Sequence, residues 1–138
     1  MLNDRKVNQS LENLGKAIQR LREALQESSE NSLIVDGTIQ RFEFTFELFW
    51  KTLKRLLETE GIKTKTPRET LKQGYMIGWL HNEEAWLQML RDRNETSHVY
   101  DEEKAREIYR NIKSYFPELE NTFFSLKKQL DGKKHDKL

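Results

Sequence analysis

The chain has 138 residues, 24 Lys and Arg against 23 Asp and Glu, 6 Gly, 2 Pro and no Cys. That length holds one domain with a real core, and the lack of Cys excludes a disulfide scaffold, thiolate chemistry and Cys-ligated zinc. A formal net charge of +1 argues against a broadly basic nucleic-acid binder, while 34% charged residues with so little Pro and Gly fit helices with solvated faces better than disorder.

The start, Met1-Leu2-Asn3-Asp4-Arg5-Lys6, carries charges where a signal peptide needs an apolar run, and no stretch approaches the ~20 apolar residues of a membrane span. A cytoplasmic protein is expected. The first helix is marked by Val7, Leu11, Leu14, Ile18, Leu21 and Leu25. Their spacing alternates four and three, the seam of a helix lying nearly parallel to its bundle neighbours. A polar connector, Glu27 to Ser32, follows.

A second helix is predicted to start between Ser32 and Thr38 and to run to Glu60, with Gly61 as the stop. Its stripe is Ile39, Phe42, Phe46, Phe49, Leu53 and Leu56, widened by Trp50 and Leu57. Phe44 falls about 200° from Phe42 at ~100° per residue and lies off the stripe. This helix is either central in the bundle or part of a subunit contact. Glu43, Glu47 and Lys51 form a row at i, i+4 spacing, which reads first as a solvated face with a weak ion pair. If the helix lines a cleft, Glu43 is the better supporting candidate.

Thr66-Pro67-Arg68-Glu69 has the grammar of a helix start: an N-cap, a proline at the first position, and an acid completing a capping box. That short helix should end near Gly74 or Gly78. Asn82-Glu83-Glu84 opens another, with Ala85, Trp86, Met89 and Leu90 inward. Asp101-Glu102-Glu103 begins the last. It should bury Ala105, Ile108, Tyr109, Ile112, Phe116, Leu119, Phe123, Leu126 and Leu130, with Pro117 kinking or restarting it. Residues 127–138 carry five Lys and two Asp, and 131–138 read as a charged, disordered tail after a helical domain of residues 1–130. The expected fold is all-α, an up-and-down bundle of four to five helices.

The chemistry is concentrated between residues 91 and 101: Arg91, Arg93, Asn94, Ser97, His98, Tyr100 and Asp101. Asn94 and His98 are four apart and share a helical face, whereas Arg93 and His98 are five apart and diverge by about 140°. Arg93 and His98 meet only if the helix unwinds before His98, or if a second subunit closes the site. Asp101 as an N-cap implies a partly extended His98-Val99-Tyr100. By residue type alone, the stretch also fits a polar loop in which His98 caps carbonyls and Arg93 pairs with a carboxylate. Trp50, Trp79 and Trp86 read as core or interface anchors before base platforms. The three His lack ligand spacing, so no metal is expected.

Arg93-Asn94-Glu95-Thr96-Ser97-His98 resembles the R-x4-H motif of the HEPN (higher eukaryote and prokaryote nucleotide-binding) family. With Tyr100 it becomes the R-x4-H-x-Y form found beside minimal nucleotidyltransferases. Arg41 to Glu47 followed by Trp50-Lys51, then Pro67-Arg68-Glu69 and Trp86, resemble the nucleotidyltransferase substrate-binding branch over nearly the whole chain. The resemblance implies a HEPN-like homodimer in which the motif residues of both copies face a shared cleft. It implies a separately encoded minimal nucleotidyltransferase as partner, nucleotide or RNA as ligand, and no cofactor. An alternative it implies is a metal-independent ribonuclease toxin with Arg93 and His98 catalytic, Asn94 supporting, and Tyr100 the target of silencing by AMP.

Overall fold

The computed structural model describes residues 2–98 and 101–136, with side chains described within 5–98 and 101–132. The described residues are helical with no strand: α1 (Leu2–Leu25), α2 (Ser32–Thr59), α3 (Pro67–Met76), α4 (Glu83–Glu95), a 3-10 turn (Thr96–His98) and α5 (Glu102–Asp136).

Cross-helix contacts give the directions. Arg41 reaches the Arg20 carbonyl and Thr45 the Ala17 carbonyl, so α2 runs antiparallel to α1. Glu47 meets Arg93 and Phe49 meets Trp86, so α4 runs against α2. Asp92 meets Tyr115 while Trp86 meets Glu118, so α5 runs against α4. The result is an up-down-up-down four-helix bundle, with α3 as a short fifth helix between α2 and α4.

Helix α2 is the central element, in contact with all four other helices. Its expected stripe is buried throughout, and Phe42, Phe46, Phe49 and Leu53 are sealed completely. Phe44 is 62% exposed, as its angle requires. The α1 seam from Val7 to Leu21 is also buried. Asn31 caps α2 through the Leu33 N–H, and Gly61 ends it at φ 79°, a left-handed conformation that L side chains resist.

Thr66 accepts the Glu69 N–H at 3.1 Å, and the Glu69 carboxylate reaches back to the Lys65 N–H at 3.2 Å, one residue upstream of the usual capping-box partner. Asn82 caps α4 from a left-handed conformation. Asp101 accepts the Lys104 N–H at 2.7 Å and starts α5.

Of the two outcomes expected at Pro117, the last helix does not take the restart, since Pro117 lies inside it. Pro117 faces solvent, where water can serve the Lys113 carbonyl left without its N–H partner. The helical backbone also continues past 130 to Asp136, so the sequence-based tail at 131–138 begins too early as a helix boundary. Long amphipathic helices carry short polar ends forward because each added residue needs only one more hydrogen bond.

Candidate functional site

The stretch that carries the motif is the end of α4 and the turn that follows. The Thr96 hydroxyl donates to the Arg93 carbonyl at 2.7 Å, and the Thr96 N–H takes the carbonyls of Arg93 and Asp92. These bonds close α4 and tighten the next residues into the 3-10 turn ending at His98. The helix thus ends before His98, one of the two ways in which Arg93 and His98 could share a site. His98 is the last residue of that turn rather than extended, and it is exposed. Lys104 at the start of α5 pairs with Glu95 at 2.8 Å, tying the two sides of the junction together.

Arg93 is held from both sides. Its Nη2 donates to Glu47 Oε2 of α2 at 2.6 Å, and its Nη1 donates to Asn94 Oδ1 at 3.0 Å. Lys51 adds a second cation 3.6 Å from the other Glu47 oxygen. Burial pushes the Glu47 carboxyl up, but the Arg93 hydrogen bond, the nearby Trp50 indole N–H and the charges of Arg93 and Lys51 outweigh it. The net effect holds Glu47 below the usual carboxylate range. Trp50 Nε1 itself is buried without a partner of hydrogen-bond geometry among the described residues, so its effect is that of a nearby dipole.

Arg93, Asn94, Thr96 and Ser97 line one side of an open groove of about 510 Å³, with Gln40, Glu43, Phe44 and Glu47 of α2 on the other. The structure therefore brings Arg93, Asn94 and Glu43 to one groove. His98 follows directly in the chain but does not line it, and Tyr100 lies outside the described residues. Glu43 makes no ion pair or hydrogen bond among the described residues. Glu47, which the sequence places on a solvated row, is the carboxylate that engages Arg93. Its signal was the four-residue spacing to Glu43 and Lys51, but the identity of the partner depends on how α4 crosses α2. Arg91 does not join the groove; it donates to Gln88 on its own helix at 2.8 Å.

Beneath Arg93 lies a network that residue type concealed. Asp92 is 3% exposed and accepts from Gln88 at 2.9 Å, Tyr115 at 3.0 Å and Asn111 at 3.4 Å. Burial pushes its carboxyl up, opposed by those three donors and assisted by the charge of Glu95. Burial and the Asp92 carboxylate push the Tyr115 phenol far above its ordinary value, so it acts only as a donor. Trp86 is 1% exposed and packs on Phe49 with ring centres 4.6 Å apart and planes tilted by 41°, a core anchor as its spacing suggested.

Residues 9–128 match the family described as nucleotidyltransferase substrate binding protein like. A curated relative, the probable ribonuclease HepT of Haemophilus influenzae, is 32% identical over 99 residues, 68% of this chain and 68% of its own length. A crystal structure from Thermus thermophilus is 34% identical with a TM-score of 0.77, over 82% of this chain and 98% of that one. A Haemophilus influenzae structure, described as revealing the fold of a substrate binding domain of a nucleotidyltransferase, is 26% identical with a TM-score of 0.64. That match covers 89% of this chain and 98% of the other.

Proposed function

The chain belongs to the nucleotidyltransferase substrate-binding family, and from that premise we propose that it is the helical subunit of a two-protein system with a separately encoded minimal nucleotidyltransferase. In this reading the protein pairs with a second copy, and the Arg93 groove receives a nucleotide phosphate between α2 and the end of α4. The observation that carries it is the clamp on Arg93. A guanidinium has five N–H donors in a fixed fork. Glu47 and Asn94 each take one, and the remainder are held at a set angle beside the open groove. Among the described residues, no helix is long and apolar enough to cross a membrane.

Co-expression with the nucleotidyltransferase tests this. The two chains should co-purify, and Tyr100 should gain the mass of AMP, lost in Tyr100→Phe. A nucleotidyltransferase that neither binds nor modifies the chain would overturn the reading.

A second reading, a metal-independent ribonuclease, is favoured by the name of the 32% identical relative, a probable ribonuclease, and by the exposed His98 five residues beyond Arg93. His98 would take the proton of an RNA 2′-hydroxyl as its oxygen attacks the adjacent phosphorus. The bond from phosphorus to the 5′-oxygen breaks to leave a 2′,3′-cyclic phosphate, the departing oxygen takes a proton from water, and Arg93 stabilises the charge gathered on the phosphoryl oxygens. AMP on Tyr100 would then silence the enzyme. Purified protein incubated with RNA in EDTA should cut it, and Arg93→Ala and His98→Ala should not. Intact RNA at high wild-type concentration would refute this second reading.

A further inference from the structure

The Arg93 groove has an electrostatic deficit. Glu43 and Glu47 line it against Arg93, so its own side chains sum to −1. Arg93 is already paired with Glu47, and a phosphate entering there meets no net attraction from a single chain. Whatever draws a polyanion to it must lie nearby.

A second groove adjoins it. Between α1 and α2, an open cleft of about 640 Å³ is lined by Lys16, Arg20, Arg41, Phe44, Gly37 and Asn13 among others. Its lining carries three cations and no carboxylate. Arg20 and Arg41 make no ion pair among the described residues, and Arg41 spends one N–H on the Arg20 carbonyl at 2.8 Å. Lys16 has Glu12 at 3.6 Å, but both side chains are more than half exposed, which makes that pair weak. Gly37 opens space on the cleft floor, since a Cβ there would meet nothing within 4 Å. Phe44 and Gln40 line both grooves, so the two are continuous around the Phe44 ring.

An exposed aromatic at 62%, flanked by cations and beside amide side chains, has the elements of a single-strand site: a face on which a base can stack and charges that follow the backbone. The two grooves, of about 640 and 510 Å³, share Gln40 and Phe44 and so offer more room together than either does alone. We infer that the α1–α2 groove is a strand-binding subsite, in which Phe44 stacks a base and Lys16, Arg20 and Arg41 hold the flanking phosphates of a single-stranded nucleic acid that continues into the Arg93 groove. This rests on the reading that the Arg93 groove takes a nucleotide phosphate. It also supplies the attraction that groove lacks.

The test is fluorescence anisotropy with two probes in EDTA: labelled AMP, and a 2′-O-methyl RNA of about eight nucleotides, which cannot be cut because its 2′-oxygen is blocked. Phe44→Ala should weaken the oligonucleotide about tenfold and leave AMP unchanged. Lys16→Ala with Arg20→Ala, two surface changes, should flatten the salt dependence of oligonucleotide binding by about 1.4 in log–log slope. Arg93→Ala should weaken both probes. If Phe44→Ala and the double variant bind the oligonucleotide like wild type while Arg93→Ala does not, the subsite is refuted and the function proposed for Arg93 stands. If Arg93→Ala changes neither probe, the underlying reading falls. If Phe44→Ala instead turns a dimer into a monomer by light scattering with strand affinity unchanged, that face belongs to a second copy and the inference is overturned.

Discussion

Removing the Tyr115 hydroxyl isolates what Asp92 contributes at the end of α4. Asp92 Oδ1 has two donors, Gln88 and Asn111, but Oδ2 has only Tyr115 at 3.0 Å among the described residues. With Asp92 at 3% exposure, water cannot readily replace that donor. A hydrogen bond to a charged group contributes ~1.5–3 kcal/mol, so Tyr115→Phe should destabilise by about 2 kcal/mol. For a domain of this size that corresponds to a fall of about 6–8 °C in Tm. Urea unfolding followed by circular dichroism should show a lower midpoint with an unchanged slope. A loss below about 0.5 kcal/mol would refute the argument, because it would mean that Oδ2 is satisfied in another way. Asp92→Asn separates charge from shape. The Asp92 carboxyl is raised in the fold, chiefly by burial. Its contribution to stability is therefore full below the unfolded carboxylate pKa and is lost as pH rises through the raised folded value. Asp92→Asn lacks this loss, so the variant should gain on wild type as pH climbs through that window. The opposite trend would show that the donors, not burial, dominate.

The remaining predictions concern the clamp and the packing. Glu47→Gln should cost only about 0.5–1 kcal/mol, because both Glu47 and Arg93 keep about a third of their exposure. Glu47 is held low in the fold, so its contribution is present above the unfolded carboxylate pKa and lost as pH falls through the lowered value; wild type and Glu47→Gln should converge there in a pH series of melts. A gap that persists at acid pH would assign the effect to packing. Gly74→Ala places a Cβ 3.1 Å from both Leu53 and Leu80, and the overpacking should outweigh the helix-propensity gain for a net loss of about 1 kcal/mol. Gly37→Ala meets open space and should stabilise α2 by about 0.5–1 kcal/mol; equal melting shifts for the two variants would contradict the contrast.

Much of the bundle is written in spacing. The α1 seam, the α2 stripe and the caps at Thr66 and Asn82 follow from local rules, and Phe44 is exposed because its angle leaves it no other place. The site is legible only in part, because its decisive contacts join distant segments. Glu47 and Arg93 are 46 positions apart, and no periodicity states which face of α2 the end of α4 will cross. Asp92 was legible in principle. It stands three residues after Met89, and Tyr115 three after Ile112, both on buried faces. Their polar character, and for Asp92 an arginine on either side, disguised a spacing that points inward. Tyr100 falls outside the described residues, so its assignment still rests on the motif.

The position of Arg93 is governed from two independent directions. Consecutive residues on a helix diverge by about 100°, so an inward Asp92 obliges Arg93 to point away from the network and toward the groove. The Asp92 network thus sets where the helix presents its last turn, while Glu47 sets the angle of the guanidinium. These two controls differ in kind. The first is buried and coupled to folding; the second is about a third exposed and, on the proposed reading, would exchange its partner for an incoming phosphate without unfolding anything. A phosphate competing for Arg93 must displace or share the Glu47 carboxylate, which is held ionised by that same arginine and by Lys51. Releasing Arg93 would leave Lys51 to compensate Glu47, so the exchange does not strand an unpaired charge. On the proposed reading, Lys51, 3.6 Å from Glu47, is the residue that would keep the clamp reversible.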